Sequence, residues 1–403
     1  MKNILTGMRV IEASAFVAAP LGGMTLAQLG ADVIRIDAIN GGLDYHRWPV
    51  TKHNVSLFWN GLNKSKRSIA INFRTPEGAE LAKQLISAEG DNAGMLLTNF
   101  PARGWLDYEE LKQHRPDLIQ LTIQGDRHGN SAVDYTVNPS MGLPFLTGSE
   151  QSQDPTNHVL PAWDCITGQM AALGLLAAER HRRINKEGQH IKLALADAAM
   201  ATMSHLGFIA EAQLGEQRPR YGNYLFGAFG RDFVTSDHHR IMVIGLTPKQ
   251  WQSLCLATDS QQQMLDLATQ LNLDFSQEGD RFIAREQIAE CLEAYISAQT
   301  FNTIQSRFNQ HGVCWSRYQS INELVANDPE CSTNNPMFNN IEQANVGSYL
   351  AAGAPWDFSL FDRLPAQPAP TLGQHTDEIL SEILRIDSSQ IGKLHDKGII
   401  AAS

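Results

Sequence analysis

The chain has 403 residues, 43% hydrophobic and 19% charged, ordinary for a soluble globular protein with room for two domains. Its net charge of −11, with no basic stripe alternating with aromatics, argues against nucleic acid as a partner. Five scattered cysteines without a CxxC pair argue against structural zinc and a disulfide framework and fit a reducing cytoplasm.

The opening segment reads as a strand, with no signal-peptide h-region before it. Met8–Ala13 is that strand, Pro20–Leu29 a helix stopped by Gly30, and Asp32–Asp37 the next strand. Arg67–Asn72 is a third strand. Thr75, Pro76 and Glu77 supply a cap, a first-position proline and a first-turn acid for a helix to about Ser87. Gly94–Asn99 and Leu118–Ile123 are further strands, with a helix around Asp107–His114 between them. Strands alternating with helices imply parallel β-α-β units, a doubly wound, Rossmann-like α/β sheet. A GxGxxG fingerprint is missing after the first strand. Phe16 to Gly23 stands there instead, a small-residue turn into a helix, which argues against a standard NAD dehydrogenase.

From Ile166 a long Ala/Leu-rich run reads as a closely packed, buried helix, and Asp164 stands at its first turn. Its nearest approach to a membrane span is broken by glycine and ends in charge, so no span is expected. A carboxylate at a helix N-terminus meets unpaired N–H groups and the positive end of the dipole, which would keep it ionised. Asp164 is then either an N-cap or a nucleophile. Cys165 beside it reads as a small packing residue. Ile191–Ala196 and a helix from Asp197 continue the large domain. Near Tyr221 the character changes: a hairpin with strands Phe233–Thr235 and Ile241–Ile244 comes first. Helices follow from Thr247-Pro248, at Arg285–Ser297 and at Asn302–Gln310. Pro365 to Pro370 is extended before a final helix at about Thr376–Arg385. The 13 histidines form no HxH or HxxxH pattern, so no metal site is expected.

The stretch around Asp164 resembles the catalytic segment of the family III CoA-transferases, the group that includes formyl-CoA and carnitine CoA-transferases. The resemblance runs along nearly the whole chain: Gly7–Glu12, Leu29–Asp37, Asn63–Ala70, Thr98–Pro101, Gly188–Ile191, Tyr221–Asn223 and Leu372–Thr376 keep the family's order and spacing. It implies a large CoA-binding α/β domain over 1–222 carrying the catalytic Asp, a small α+β domain over 223–328, and a segment 329–403 returning to the large domain. It also implies two chains interlocked as a homodimer, and no cofactor beyond the CoA part of the substrate. Gly41–Tyr45, the Asn223-to-Arg231 loop and Asp328–Thr333 resemble members that move CoA between the two carboxyl groups of one mesaconate.

In the family the Asp, here Asp164, attacks the thioester and forms a mixed anhydride while CoA leaves as thiolate. By the same resemblance Ile71, Arg74, Asn99, Phe100 and Arg103 bind CoA, and Val17, Tyr135 and Gly227 surround the acyl group. Formyl-CoA transferases carry a glycine run over the active Asp, where this chain has only Gly227 and Gly230 among aromatics, consistent with a drier lid. They carry a polar residue at Val17 and an arginine at Ala38, so oxalate chemistry is not expected. Arg47, Arg220 and Arg231 are the cations that could hold a second carboxylate. Three other readings stay open: an intermolecular transferase with a dicarboxylic acceptor, a non-catalytic CoA-binding module, and an α-methylacyl-CoA racemase. The racemases' His-Asp pair is reduced here to Val133-Asp134.

Overall fold

The computed structural model describes residues 3–402 and divides into two compact units. The large unit comprises Met1–Met141, His158–Glu211 and Pro329–Ser403; the small unit comprises Gly142–Asn157 and Ala212–Asp328. The small unit thus takes in 142–157 and 212–222, both read from the sequence as part of the large domain, besides the 223–328 stretch.

The large unit is built on β1 (Arg9–Ala13), α1 (Ala18–Gln28), β2 (Asp32–Asp37), α2 (Leu57–Leu62), β3 (Arg67–Ile71), α3 (Pro76–Ser87) and β4 (Met95–Thr98). Next come α4 (Tyr108–His114), β5 (Ile119–Gln124), α5 (Asp134–Ser140), α6 (Ala162–Asn185), β6 (Gln189–Ala194) and α7 (Leu195–His205). The helix starts follow from capping chemistry: the Thr75 hydroxyl accepts the Gly78 N–H at 3.1 Å, and Asp107 accepts that of Glu110 at 3.1 Å. Strands β3-β2-β1-β4-β5-β6 run parallel in that order, and Ile400–Ala401 adds an antiparallel edge strand to β3. Alternate residues of β1 and β2 face opposite layers. Ile11 and Ile34 pack toward Leu81 and Leu85 of α3, and Val10 and Val33 toward Leu26 of α1 and Leu175 of α6. Both faces are buried, which is why the strands are apolar without alternation; each fully buried branched side chain contributes about 2 kcal/mol.

Small residues bring α1 and α6 together. A Cβ on Gly168 would lie 2.6 Å from the Ala18 carbonyl oxygen, and one on Gly22 would lie 2.9 Å from the Gly168 carbonyl oxygen. This contact fixes the helix that carries Asp164. The helix is not buried all round: Met170, Leu173 and Ile184 are exposed, Leu173 by 67%. The expectation of a wholly buried helix is corrected by its alternation of small residues toward α1 and large ones outward. No helix among the described residues is long and apolar enough to cross a membrane.

The small unit is an antiparallel sheet of Phe229–Val234, Arg240–Gly245 and Cys314–Arg317 under helices Pro248–Ala257, Arg285–Ile296 and Phe301–His311. The turn between its first two strands is the polar one expected. Thr247 caps the following helix, accepting the Gln250 N–H at 3.2 Å. Phe229, Phe233, Trp251, Leu292 and Phe308 fill its core.

Candidate active site

The strands β1 and β4 end side by side, with Ala13 in register with Thr98. At this carboxyl edge the chain leaves β1 through Ala15, Phe16 and Val17 into α1. Two side chains tie that turn down. Asn99 accepts the Ala15 N–H at 2.9 Å and donates to the Ala15 carbonyl at 2.7 Å. Asp44 Oδ2 accepts the Phe16 N–H at 2.8 Å. Phe16 is a non-glycine residue at φ +67°, a conformation costing about 1–3 kcal/mol that persists only when its surroundings hold it. Asp44 is held in turn by Arg35, whose Nη2 lies 3.3 Å from Asp44 Oδ1 and whose Nε donates to Asp37 at 2.7 Å. Glu12 and Lys66 complete this buried charge cluster, 2.9 Å apart. Burial disfavours the Arg35 charge, but Asp37, Asp44 and Glu12 outweigh it and keep the guanidinium protonated.

The Phe16 ring lies 5.7 Å from the Arg47 guanidinium carbon, and the Phe58 ring 5.2 Å from it. Aromatic faces thus position Arg47, whose charge acts on Asp164. Asp164 lies in the first turn of α6 without capping it. The N-cap is Pro161, which has no side-chain acceptor, and the Trp163 and Asp164 N–H groups go instead to Asp134 Oδ2 at 2.7 and 3.2 Å. The helix-start donors expected to hold the Asp164 charge are thus taken by Asp134. Burial pushes its carboxyl up to about 6, the Asp134 charge adds to that, and Arg47 opposes it. Burial, together with the Asp164 and Asp134 charges, also pushes the Cys165 thiol up, so it is no thiolate nucleophile.

The other expected residues are distributed as follows. Val17 is buried at the start of α1. Phe100 is half-buried against the core, its N–H donating to the Thr98 hydroxyl at 3.0 Å. The Ile71 side chain is wholly inside the core, so only its main chain is left at the end of β3. Arg74 and Arg103 are exposed beyond β3 and β4. Tyr135 is half-exposed on α5, its hydroxyl donating to the Val159 carbonyl at 3.3 Å. Gly227 lies in the small unit at φ +81° with open space where a Cβ would stand. Of the three candidate cations, Arg220 spends its guanidinium on the carbonyls of Pro144, Phe145, Ser152 and Asp154. Arg231 is held by Tyr224 and lies 3.8 Å from Glu293. Asp134, His158, Asp44 and Phe16 went unrecognised in the sequence. Their roles depend on contacts 24 to 30 residues apart, which no local pattern marks.

The comparisons agree with this architecture. The family model for CoA-transferase family III matches residues 5–376. The 2-methylfumaryl-CoA isomerase of Chloroflexus aurantiacus is 59% identical over 405 aligned positions, covering 100% of this chain and 98% of its own. The succinyl-CoA:glutarate CoA-transferase of Homo sapiens is 26% identical over 99% of this chain and 91% of its own. A solved CAIB/BAIF family protein from Brucella suis has a TM-score of 0.76 at 24% identity, over 95% of this chain and 100% of that one, which bears on the fold alone. Sequence and fold together place this chain in CoA-transferase family III.

Proposed function

We propose that this protein is an enzyme that moves CoA from one carboxyl group of mesaconate to the other, converting 2-methylfumaryl-CoA to its regioisomer. The observation that carries the reading is the half-buried Asp164 carboxyl, without a hydrogen-bond donor among the described residues, in a chain 59% identical to a 2-methylfumaryl-CoA isomerase.

Asp164 in its ionised form attacks the thioester carbonyl. The C–S bond breaks, CoA leaves as thiolate with the electron pair, and a mixed anhydride forms. The thiolate then attacks the Asp164 carbonyl carbon, which gives an enzyme thioester and frees the mesaconate carboxylate. The other carboxylate of the retained mesaconate attacks that thioester and expels the thiolate. The thiolate adds to the new substrate acyl carbon, and Asp164 is released unchanged. Protons and electrons balance with no metal or further cofactor.

Arg47 is assigned to the substrate's free carboxylate, because Arg220 and Arg231 are already engaged. Arg74 and Arg103 are assigned to the CoA phosphates, Asn99, Phe100 and the Ile71 main chain to its nucleotide, and Val17, Tyr135 and Gly227 to the acyl group. The exposed apolar face of Met170, Leu173 and Ile184 supports a homodimer, and five free cysteines support a cytoplasmic location. The test is to mix the protein with mesaconyl-CoA bearing CoA next to the methyl-bearing carbon and to add excess labelled mesaconate. Regioisomer without label in the thioester is expected. Conversion only with a second acid, or label in the product, would leave an intermolecular transferase.

A further inference from the structure

We infer that Asp134 is a positioning residue for Asp164: it takes over the amide donors at the start of α6 so that the nucleophile's own carboxyl is left free of hydrogen bonds. This rests on the reading of Asp164 as the nucleophile.

Asp134 is 1% exposed, yet it is a carboxylate. Such a group is tolerated only when its oxygens are satisfied. Oδ2 receives the Trp163 and Asp164 N–H groups, and Oδ1 lies 2.9 Å from His158 Nε2. Asn138, one turn along α5, accepts the Trp163 indole N–H at 3.1 Å, so two residues of α5 grip the first turn of α6. A helix start must place its free N–H groups on some acceptor. The N-cap side chain usually supplies it, and that is the place the sequence suggests for Asp164. Had Asp164 done so, its oxygens would be hydrogen-bonded and its lone pairs withdrawn from attack. The Asp134–His158 pair removes that competition. It also puts a second negative charge behind the nucleophile, which raises the energy of its ionised form.

The charged and titratable groups around Asp164 are Asp134, Arg47 and Cys165, with His158 on the far side of Asp134. The test compares Asp134→Asn, Asp134→Ala and His158→Gln in the full chain, each checked by thermal melting. Asn keeps an acceptor for the two amides and loses the charge. We expect kcat to fall about 10- to 100-fold in Asp134→Ala with KM within about twofold, the loss expected of a misplaced reacting group, and to fall less in Asp134→Asn. The acid limb of kcat/KM should move to lower pH in Asp134→Asn. A role in packing alone would lower the melting temperature and leave that limb in place. A substrate-free reading accompanies it: the pH dependence of stability for each protein with and without Asp164→Asn gives the proton affinity of Asp164 directly. It should fall in Asp134→Asn even if no isomerisation is found. An unchanged Asp164 midpoint, or folded Asp134 variants with parental kcat, KM and pH profile, would overturn the inference.

Discussion

Asp44 and Phe16 are joined by one hydrogen bond of 2.8 Å that ties a turn at the ligand edge to the charge cluster inside the sheet. Replacing Asp44 by Ala removes the acceptor for Phe16 and one counter-charge of the buried Arg35. Breaking a buried pair from one side costs about 3–5 kcal/mol, and chemical denaturation should register a loss of that order. Asn at the same position keeps the Phe16 contact and should cost less. If both variants melt like the parent, the turn is held by something else.

Asp164 sets an acid limit on activity. Only the ionised carboxylate attacks, so kcat/KM should rise with pH through a midpoint near 6 and level off above it. Stability runs the other way. The folded carboxyl binds its proton more tightly than the unfolded one, so the group favours the fold below the ordinary value of 3.8 and loses that contribution as pH rises through about 6. Asp164→Asn should therefore abolish turnover and stabilise the protein at pH 8 by up to about 3 kcal/mol, with the gain vanishing near pH 3. A variant less stable than the parent at pH 8 would contradict this.

Arg47→Lys keeps a charge but loses the planar fork that pairs with a carboxylate and stacks on Phe16 and Phe58. We expect about a tenfold or greater rise in KM for the dicarboxylic thioester. A CoA ester of a similar monocarboxylic acid should bind the parent and the variant alike. Equal weakening toward both ligands would assign Arg47 to something other than the free carboxylate.

Gly168→Ala places a methyl group 2.6 Å from the Ala18 carbonyl oxygen, where no rotamer relieves it. The two helices must part by some tenths of an ångström. Overpacking of this kind costs about 1–3 kcal/mol. Because α6 carries Asp164, kcat should drop along with the melting temperature, and Gly61→Ala, which lies in a helix and meets no neighbouring atom, should lower neither.

The loop bearing Gly227 is braced within the small unit. The Phe226 ring lies 5.6 Å from Tyr221 and 5.2 Å from Phe282, with the Arg218 guanidinium 3.7 Å above it. Phe226→Ala removes two ring pairs worth about 0.5–1.5 kcal/mol each and a cation–π contact, so chemical denaturation of the small unit should register a loss of about 1–3 kcal/mol. A variant as stable as the parent would show that these rings do not hold the loop.

Much of the large sheet was legible because both of its faces are buried. Runs such as Val10-Ile11 and Val33-Ile34 can only be central strands, and Asp32–Asp37 agrees end to end. Thr75-Pro76 and Thr247-Pro248 marked helix starts with their own local chemistry. What local chemistry does not encode was missed. The helix Asp134–Ser140 is short and contains Pro139, and the Phe338–Gln343 and Gly347–Ala352 hairpin carries too few apolar residues to signal itself. At the site Asp164 was visible and its environment was not: the sequence around it has no basic residue, whereas Arg47 reaches it from α2's side of the unit and Asp134 from α5. Its proton affinity is therefore a tertiary property.

The strand Ile400–Ala401 lies against β3, with Ile400 opposite Ile71, and Thr376 accepts the Ala70 N–H at 3.1 Å on the same edge. During synthesis β3 leaves the ribosome long before its neighbour exists. The small unit, drawn mostly from the middle of the chain, emerges entirely in the interval. Its pairings are local by comparison and can form first, while the edge of the large sheet waits open with unpaired backbone groups. A nascent chain stalled just after residue 328 should thus expose β3 to chaperones, and release of residues 371–401 is the event that closes it.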